Sequence, residues 1–209
     1  MTQIIFTIYY KGSEVGDLAP DFSAEALGAD GKFFDFKLSS LNGKYVVLLF
    51  YPLDFTFVCP SELLAFSENA QKFRDAGAEV VGISVDSKFT HLAWTQTPKK
   101  EGGLGSPLNF PLVSDITHEI SKAYNLYWHN KGHSKRGLVI VSPKGFVSSK
   151  MVNDDPVGRS WEETLRVVEA LVHHDAHPDE VCPAGWKKGG KTIKEHPVHK
   201  KDYFSSVYN

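Results

Sequence analysis

Short runs of β-branched and aromatic residues alternate with amphipathic segments from residue 44 to about residue 175, and this alternation limits the folds open to the chain. Residues 45–51 form a continuous apolar run that stops at Pro52, which predicts a buried strand. The segment that begins at Pro60 carries apolar residues three or four positions apart, which predicts one helix ending at Gly77. These apolar residues are Leu63, Phe66, Ala70 and Phe73.

The rest of this region continues the same pattern. Strands are predicted at 80–85 and 110–113, helices at 89–97 and 118–125, a hairpin at 138–141 and 146–151, and a last helix over 161–172. Ser160 and Glu163 form a capping-box pattern where that helix begins. Strands interleaved with helices predict an α/β protein with a thioredoxin-like fold, in which helices flank a central mixed sheet and an antiparallel hairpin lies at one edge.

Three parts are predicted along the 209 residues. Residues 1–14 form an N-terminal extension of unknown role. Residues 15–175 form one globular body, which agrees with a hydrophobic content of 42% in a chain of this length. Residues 176–209 form a polar C-terminal arm with six lysines between Lys187 and Lys201, and such an arm must dock to be ordered.

Composition and charge exclude several classes of protein. A formal net charge of −2 leaves no broad cationic surface for nucleic acid, and the lysines of the arm lack interleaved aromatic residues. No stretch of about eighteen residues is free of charge, so no membrane span is expected. The apolar residues 4–10 follow no basic segment, so we expect no export signal and a cytoplasmic protein.

The chain has two cysteines, Cys59 and Cys182. Two are too few for a disulfide-stapled scaffold or for a four-thiolate zinc site within one chain. Their separation of 123 positions also excludes a C-x-x-C redox motif. Either both are inert thiols or they form a redox pair, and a reacting pair would have to meet through the fold or across subunits.

Two other patterns resemble binding sites only weakly. Several of the nine histidines are spaced like metal ligands, but no paired cysteine or dense carboxylate cluster accompanies them, so we expect solvated or capping histidines and no metal. The glycine-rich segment Gly102 to Gly105 lacks the Gly-Lys-Ser/Thr ending of a phosphate-binding loop. No nucleotide or other cofactor is therefore expected.

Cys59 lies where the first predicted strand gives way to the first predicted helix. Free backbone N–H groups and the helix dipole at that point favour a thiolate. Pro52 and Pro60 stiffen the connecting loop, and the hydroxyl of Thr56 is three positions from the sulfur-bearing residue. The alternative is that Cys59 is a small buried hydrophobic residue at the helix start.

The pattern Pro52-x-x-x-Thr56-x-x-Cys59 resembles the active-site motif of peroxiredoxins. The segment from Glu180 to Trp186, which contains Cys182, is similar to the resolving-cysteine segment of the typical two-cysteine subgroup, the thioredoxin peroxidase or alkyl hydroperoxide reductase C-like proteins. Three further segments fit this subgroup, and the resemblance extends from about Val15 to the end of the chain. They are Val157 to Ser160, Gly102 to Gly105, and Tyr203 with Phe204.

This resemblance implies that residues 15–175 are a peroxidase domain in which Cys59 attacks a hydroperoxide and becomes a sulfenic acid. Pro52 would belong to the active-site loop, and Thr56 would hydrogen-bond the peroxide. Arg136 would supply fixed positive charge to the thiolate and the peroxide oxygens. The residues alone favour the interpretation of Arg136 as a surface arginine before a strand. The resemblance reverses that preference and favours an active-site arginine.

The resemblance also implies a resolution step between subunits. Cys182 of a partner subunit would form a disulfide with Cys59 in a homodimer, with dimers assembling into a decameric ring and a thioredoxin-like protein as reductant. The first turn of the Pro60 helix would have to unwind. The Gly102 to Gly105 segment and the Tyr203-Phe204 tail would slow that unwinding and leave the sulfenic acid open to overoxidation.

Two other functions remain open. A ring-forming chaperone or holdase, in which the cysteines only set the oligomeric state, is compatible with the same resemblance. A cysteine hydrolase would need a positioned histidine base, for which the sequence has no motif. Four residues depart from the pattern expected for the subgroup, and none of them replaces an expected catalytic residue. They are Trp128, His129, Asp155 and Trp161.

Overall fold

The computed structural model describes residues 13–208 of the chain. The strands within that range are β1 (Ser23–Leu27), β2 (Phe33–Lys37), β3 (Tyr45–Phe50), β4 (Ala78–Ser84), β5 (Leu112–Ser114), β6 (Tyr127–Trp128), β7 (His133–Ser134), β8 (Arg136–Val141), β9 (Val147–Asn153), β10 (Glu180–Val181) and β11 (Ile193–Lys194). The α-helices are α1 (Cys59–Glu68), α2 (Ala70–Asp75), α3 (Lys88–Gln96), α4 (Glu119–Ala123), α5 (Trp161–Ala176) and α6 (Lys200–Val207). Short 3-10 helices lie at Leu38–Leu41 and Lys99–Glu101.

Seven strands form the central mixed sheet, in the order β2-β1-β5-β4-β3-β8-β9. The three middle strands β5, β4 and β3 are parallel, whereas the β1–β2 and β8–β9 hairpins add antiparallel pairs at the two edges. Parallel strands need crossover connections, and helices α1 to α3 supply them. The prediction of an α/β, thioredoxin-like fold with an edge hairpin is confirmed.

Strand β3 divides the core into two layers because both of its faces are covered. All six of its residues are buried, as expected for a central strand that reads as a continuous apolar run. Val47 and Leu49 face the layer that contains Cys59, whereas Leu48 and Phe50 face the opposite layer. Full burial of an aliphatic or aromatic side chain contributes about 1.5–3 kcal/mol, so this strand firmly holds the start of the loop that leads to Cys59.

One prediction about secondary structure is wrong, and one hairpin was missed. The predicted single helix over 60–77 is two helices, because the chain leaves helical geometry at Asn69 (φ −107°, ψ 8°), whose side-chain amide donates to the Ala65 carbonyl. The β1–β2 hairpin was not predicted. Its residues alternate poorly between exposed and buried, and Phe33 and Phe34 are both exposed.

The glycine-rich segment packs against α3. The Trp94 indole donates to the Gly102 carbonyl, and Leu104 is fully buried in the core layer that contains Cys59. Gly103 lies so close to Thr97 that an added Cβ would overlap the Thr97 carbonyl group. This segment is therefore linked to the loop between β3 and α1 through Trp94, whose ring lies 5.9 Å from that of Phe55.

The C-terminal arm docks on the body through α5. Trp186 is 4% exposed, its ring lies 5.1 Å from that of His173, and its carbonyl accepts from Arg166. Strands β10 and β11 form a small hairpin, and α6 packs on β11 with Phe204 partly exposed. Among residues 13–208, no helix has the length and apolarity needed to cross a membrane. The predicted extension 1–14 lies largely outside the described residues, and the three-part division stays a prediction.

Candidate active site

Cys59 is the first residue of α1, directly after the loop that leaves β3. Pro60 occupies the first turn, where its missing N–H costs no helical hydrogen bond. The Cys59 side chain is 1% exposed and belongs to the core layer under the sheet. The thiol is thus at the positive end of a helix and shielded from bulk water, as the sequence predicted.

A buried polar network shapes the loop between β3 and α1. The Asp54 carboxylate accepts from the Tyr51 hydroxyl at 2.8 Å and contacts His91 Nδ1 at 2.8 Å, with both Asp54 and His91 side chains fully buried. Burial raises the pKa of Asp54, and the contact with His91 opposes that rise. The next residue, Phe55, has a φ of +55°, a conformation that costs free energy for a residue with a Cβ and must be held by its surroundings.

The two other predicted loop residues, Pro52 and Thr56, lie in this same loop. Pro52 is buried where the loop leaves β3. The Thr56 hydroxyl donates to the Leu53 carbonyl at 2.8 Å, so its proton is committed within the loop. Its oxygen lone pairs still have acceptor capacity for a donor such as a hydroperoxide O–H.

Arg136 opens β8 and reaches the thiol. Its Nη1 lies 3.7 Å from Cys59 Sγ, and the residue is 3% exposed. The interpretation of Arg136 as a surface arginine is therefore wrong. Its Nε and Nη2 donate to the main-chain carbonyl of Asp155 at 3.1 and 2.9 Å, which fixes the plane of the guanidinium and directs Nη1 toward the sulfur.

Glu62 joins this cluster from the first turn of α1, three residues after the cysteine. Its carboxylate accepts from Arg136 Nη1 and is 3% exposed. It also accepts from the backbone N, Nε and Nη2 of Arg159 at 2.6, 2.8 and 2.9 Å. One buried carboxylate thus serves two guanidinium groups beside the thiol.

The protonation of this cluster follows from its charges. Burial raises the pKa of Glu62, but hydrogen bonds and positive charge from Arg159 and Arg136 outweigh it, so the pKa is lowered overall. Burial lowers the pKa of Arg136, but the Glu62 carboxylate and Cys59 reverse this, and the pKa is raised. For Arg159, burial prevails and the pKa is lowered, although an arginine stays protonated at neutral pH. All three groups are charged.

Arg159 ties the cluster to the sheet as well. Its Nη1 donates to the Phe50 carbonyl at 2.7 Å and to the Gly137 carbonyl. Phe50 ends β3 and Gly137 is the second residue of β8. A single side chain therefore joins α1 to the two strands that carry the site.

Cys182 lies in the arm, just after β10, and not beside Cys59. Its Sγ is 3.7 Å from the Ala170 carbonyl of α5, and both cysteines are free thiols. Burial raises the pKa of Cys182, and the charge of Arg166 opposes that rise. Glu180, in β10, is held by Lys194, Thr192 and His173, which lower its pKa to about 2. These contacts anchor the segment that carries the thiol.

The histidines that resemble metal-ligand pairs contact other groups. His173 Nε2 is 3.0 Å from Glu180, His174 Nδ1 is 2.8 Å from the Glu180 carbonyl, and His177 Nδ1 is 3.0 Å from the His173 carbonyl. Within residues 13–208 no three histidine, cysteine or carboxylate side chains converge as metal ligands would.

The roles of Glu62 and Arg159 were missed in the sequence analysis. In the sequence, Arg159 is only one residue of the segment from Val157 to Ser160 that resembles the family pattern. The available signal for Glu62 was its spacing, because a residue three positions after Cys59 lies on the same face of the helix. An acidic residue in a first helical turn is nevertheless common for reasons unrelated to an active site.

The family model described as the AhpC/TSA family matches residues 15–150, and the model of the C-terminal domain of 1-Cys peroxiredoxin matches residues 170–206. Peroxiredoxin-2 of Mus musculus is 55% identical over 193 residues, 92% of this chain and 96% of its own. The putative peroxiredoxin ycf42 of Pyropia yezoensis is 53% identical over 92% of this chain and 96% of its own.

A solved structure is similar to this chain as well. The reduced 2-Cys peroxiredoxin of Plasmodium vivax superimposes with a TM-score of 0.88 at 43% identity, over 91% of this chain and 98% of that one. The match spans the body that holds Cys59 and most of the chain beyond it. Family model, relatives and solved structure agree with the geometry of a buried, arginine-paired cysteine at a helix start, and the chain belongs to the peroxiredoxins, the thiol peroxidases of the AhpC/TSA family.

Proposed function

We propose that this protein reduces hydrogen peroxide and organic hydroperoxides through Cys59 as peroxidatic cysteine and Cys182 as resolving cysteine. The observation that carries the proposal is the approach of Arg136 Nη1 to within 3.7 Å of a buried sulfur at the start of α1. A thiolate needs fixed positive charge nearby, and a departing alkoxide or hydroxide needs a donor. Arg136 and the helix start supply both.

In the first step, the Cys59 thiolate attacks one peroxide oxygen and the O–O bond breaks. The sulfur is oxidised to a sulfenic acid, and the other oxygen takes a proton and leaves as water or an alcohol. Thr56 accepts a hydrogen bond from the peroxide O–H while its own hydroxyl donates to the Leu53 carbonyl. Pro52 stiffens the loop that holds Thr56 in place.

In the second step, the Cys182 thiol of a partner subunit condenses with the sulfenic acid. A disulfide forms, and the sulfenic oxygen leaves as water. A thioredoxin-like dithiol protein then reduces the disulfide to two thiols and becomes oxidised itself. We propose that this takes place in the cytoplasm, in homodimers that assemble into a decameric ring.

Resolution requires a conformational change in α1. A disulfide brings two Cα atoms within about 4.4–6.8 Å, whereas Cys59 is enclosed by the core and its sulfur faces Arg136. The first turn of α1 therefore has to unwind before the two sulfurs meet. The contacts of Glu62 with Arg136 and Arg159 are formed from that turn and have to loosen with it.

The test is non-reducing electrophoresis of the wild type, Cys59→Ser and Cys182→Ser after mild treatment with hydrogen peroxide. We expect a disulfide-linked dimer band in the wild type that is absent from both variants. Peroxide consumption should be lost in Cys59→Ser. An oxidised monomer band would contradict the intersubunit pairing, and undiminished peroxide consumption by Cys59→Ser would contradict the role of Cys59.

The alternative, a ring-forming chaperone without peroxidase chemistry, is separated by the same variant. Such a protein would hold unfolding client proteins in solution equally well with a cysteine or a serine at position 59. Its Cys59→Ser variant would equal the wild type both in this holding activity and in peroxide consumption. Loss of peroxide consumption with unchanged holding activity would show that both activities exist and that only one needs the thiol.

A further inference from the structure

Trp128, Lys131 and Asp155 form a cluster on the outer side of the active site that the proposed chemistry does not use. Lys131 belongs to the connection between β6 and β7, and its Nζ lies 2.6 Å from Asp155 Oδ2. The same ammonium lies 3.7 Å from the centroid of the Trp128 ring. One cation is thus held from two sides, by a carboxylate and by an aromatic face.

This cluster is connected to Arg136 through the main chain of Asp155. The Asp155 carbonyl accepts from both Nε and Nη2 of Arg136, at 3.1 and 2.9 Å. The guanidinium is planar, so these two bonds set the direction of the remaining nitrogen, Nη1, which faces Cys59 Sγ. A shift of the Asp155 carbonyl would rotate Nη1 away from the sulfur.

The contact with Lys131 compensates the charge of the Asp155 carboxylate. The Asp155 side chain is 29% exposed, and its second oxygen, Oδ1, is buried and accepts no hydrogen bond from residues 13–208. The Lys131 ammonium is the cation paired with this partly buried carboxylate. Without that cation, the carboxylate would be drawn toward water because an uncompensated charge is costly to bury. Its own carbonyl would move with it.

An exposed ion pair by itself contributes only about 0–1 kcal/mol to folding, so a purely stabilising role would be small. The effect of this pair is geometric, because it acts on the residue whose carbonyl orients the arginine at the reacting sulfur. We propose that Lys131 and Trp128 are positioning residues for the peroxide reaction, acting through Asp155 and Arg136. The inference rests on the proposed roles of Cys59 and Arg136.

The test compares Lys131→Met, Lys131→Arg and the matched control Lys44→Met in the full chain by stopped-flow kinetics. Lys44 forms an ion pair of similar exposure with Glu79 at 2.8 Å, and it precedes β3, at the opposite end of that strand from the Cys59 loop. Lys131→Met should slow the reaction of Cys59 with hydrogen peroxide roughly tenfold, less than the about 10²-fold cost of a 1 Å misplacement. Lys131→Arg should restore most of the rate, and Lys44→Met should equal the wild type.

A second readout separates positioning from general destabilisation. The subsequent formation of the disulfide should be no slower in Lys131→Met than in the wild type, because Arg136 assists the peroxide step and its contact with Glu62 has to loosen before the disulfide forms. In an Asp155→Asn background, Lys131→Met should have little further effect, since the two side chains act as one unit. If Lys131→Met proves unstable in a thermal melt, Trp128→Leu replaces it, with Trp128→Phe as the variant that retains an aromatic face.

A wild-type peroxide rate in Lys131→Met or Trp128→Leu would overturn the inference, as would equal slowing of the peroxide and disulfide steps. Failure of the proposed function is distinguishable, because the wild type itself would then consume no peroxide through Cys59. A wild type that reacts, together with a Lys131→Met variant that reacts equally fast, would leave the proposed function intact and remove only the positioning role.

Discussion

Arg136 Nη1 lies 3.7 Å from Cys59 Sγ, although the two residues are 77 positions apart in the sequence. The fold brings them together because β3 pairs directly with β8. Strand β3 leads to the cysteine, and β8 begins at Arg136. Two neighbouring strands, β3 and β8, together with helix α1 therefore position the side chains of the site.

Arg136→Lys should lower the rate of peroxide reduction by about 10²-fold, the loss that follows removal of one well-placed donor to a developing oxyanion. Lysine keeps the charge but lacks the planar fork that bonds the Asp155 carbonyl and the thiol together. Stopped-flow kinetics with hydrogen peroxide measures the effect. Arg74→Lys, at a surface arginine of α2, is the control and should react like the wild type.

Glu62→Gln should destabilise the fold by about 3 kcal/mol, because it removes the one carboxylate that is shared by two buried guanidinium groups. Urea unfolding gives the free energy of unfolding. Glu68→Gln, on the same helix but at an exposed position, should change stability by less than about 0.5 kcal/mol. Equal stability of the two variants would contradict the importance of the shared carboxylate.

Glu62 should also govern part of the acid sensitivity of the protein. Its pKa in the folded state is lowered from the usual 4.5, so its contribution to stability is complete above about pH 4.5 and is lost as the pH falls through the lower folded-state value. Unfolding free energies measured between neutral and acid pH should therefore fall less steeply for Glu62→Gln than for the wild type. Parallel curves for the two proteins would argue against this linkage.

Gly103→Ala should cost more than about 1 kcal/mol of stability, since its Cβ would overlap the Thr97 carbonyl group and the backbone would have to move. Thermal unfolding checks the change. Gly158→Ala is the control, because its nearest neighbour would be a Val58 methyl at 3.4 Å, an ordinary contact. We expect Gly158→Ala to melt close to the wild type.

Excess peroxide together with a reductant should convert Cys59 to the sulfinic acid. Under the proposed mechanism, the sulfenic acid persists until α1 unwinds and Cys182 reaches it, and a second peroxide molecule competes during that time. Mass spectrometry of the Cys59 peptide detects the two added oxygens. Repeated turnover without sulfinic Cys59 would mean that unwinding is fast compared with the second oxidation.

Much of the fold could be predicted because the buried strands appear in the sequence as continuous runs of apolar residues. β3 was predicted within one residue for this reason. The break between α1 and α2 at Asn69 could not be predicted, since the helical spacing of the apolar residues Phe66, Ala70 and Phe73 continues across it. Cys59 could be identified as the candidate reactive cysteine from its place at a strand-to-helix turn. The shared role of Glu62 could not be identified, because it depends on Arg159, which is 97 positions away and meets it only in the folded chain.

The shared carboxylate has an electrical consequence for the redox cycle. Two guanidinium groups against one carboxylate leave a single positive charge around Cys59, and under the proposed chemistry a thiolate neutralises it. A sulfenic acid carries no charge, so its formation at Cys59 would leave that cation enclosed without a counter-ion until the first turn of α1 unwinds. The enclosed positive charge therefore stabilises the thiolate relative to the neutral sulfenic acid, and it favours opening of the closed arrangement around Cys59 once that residue has been oxidised.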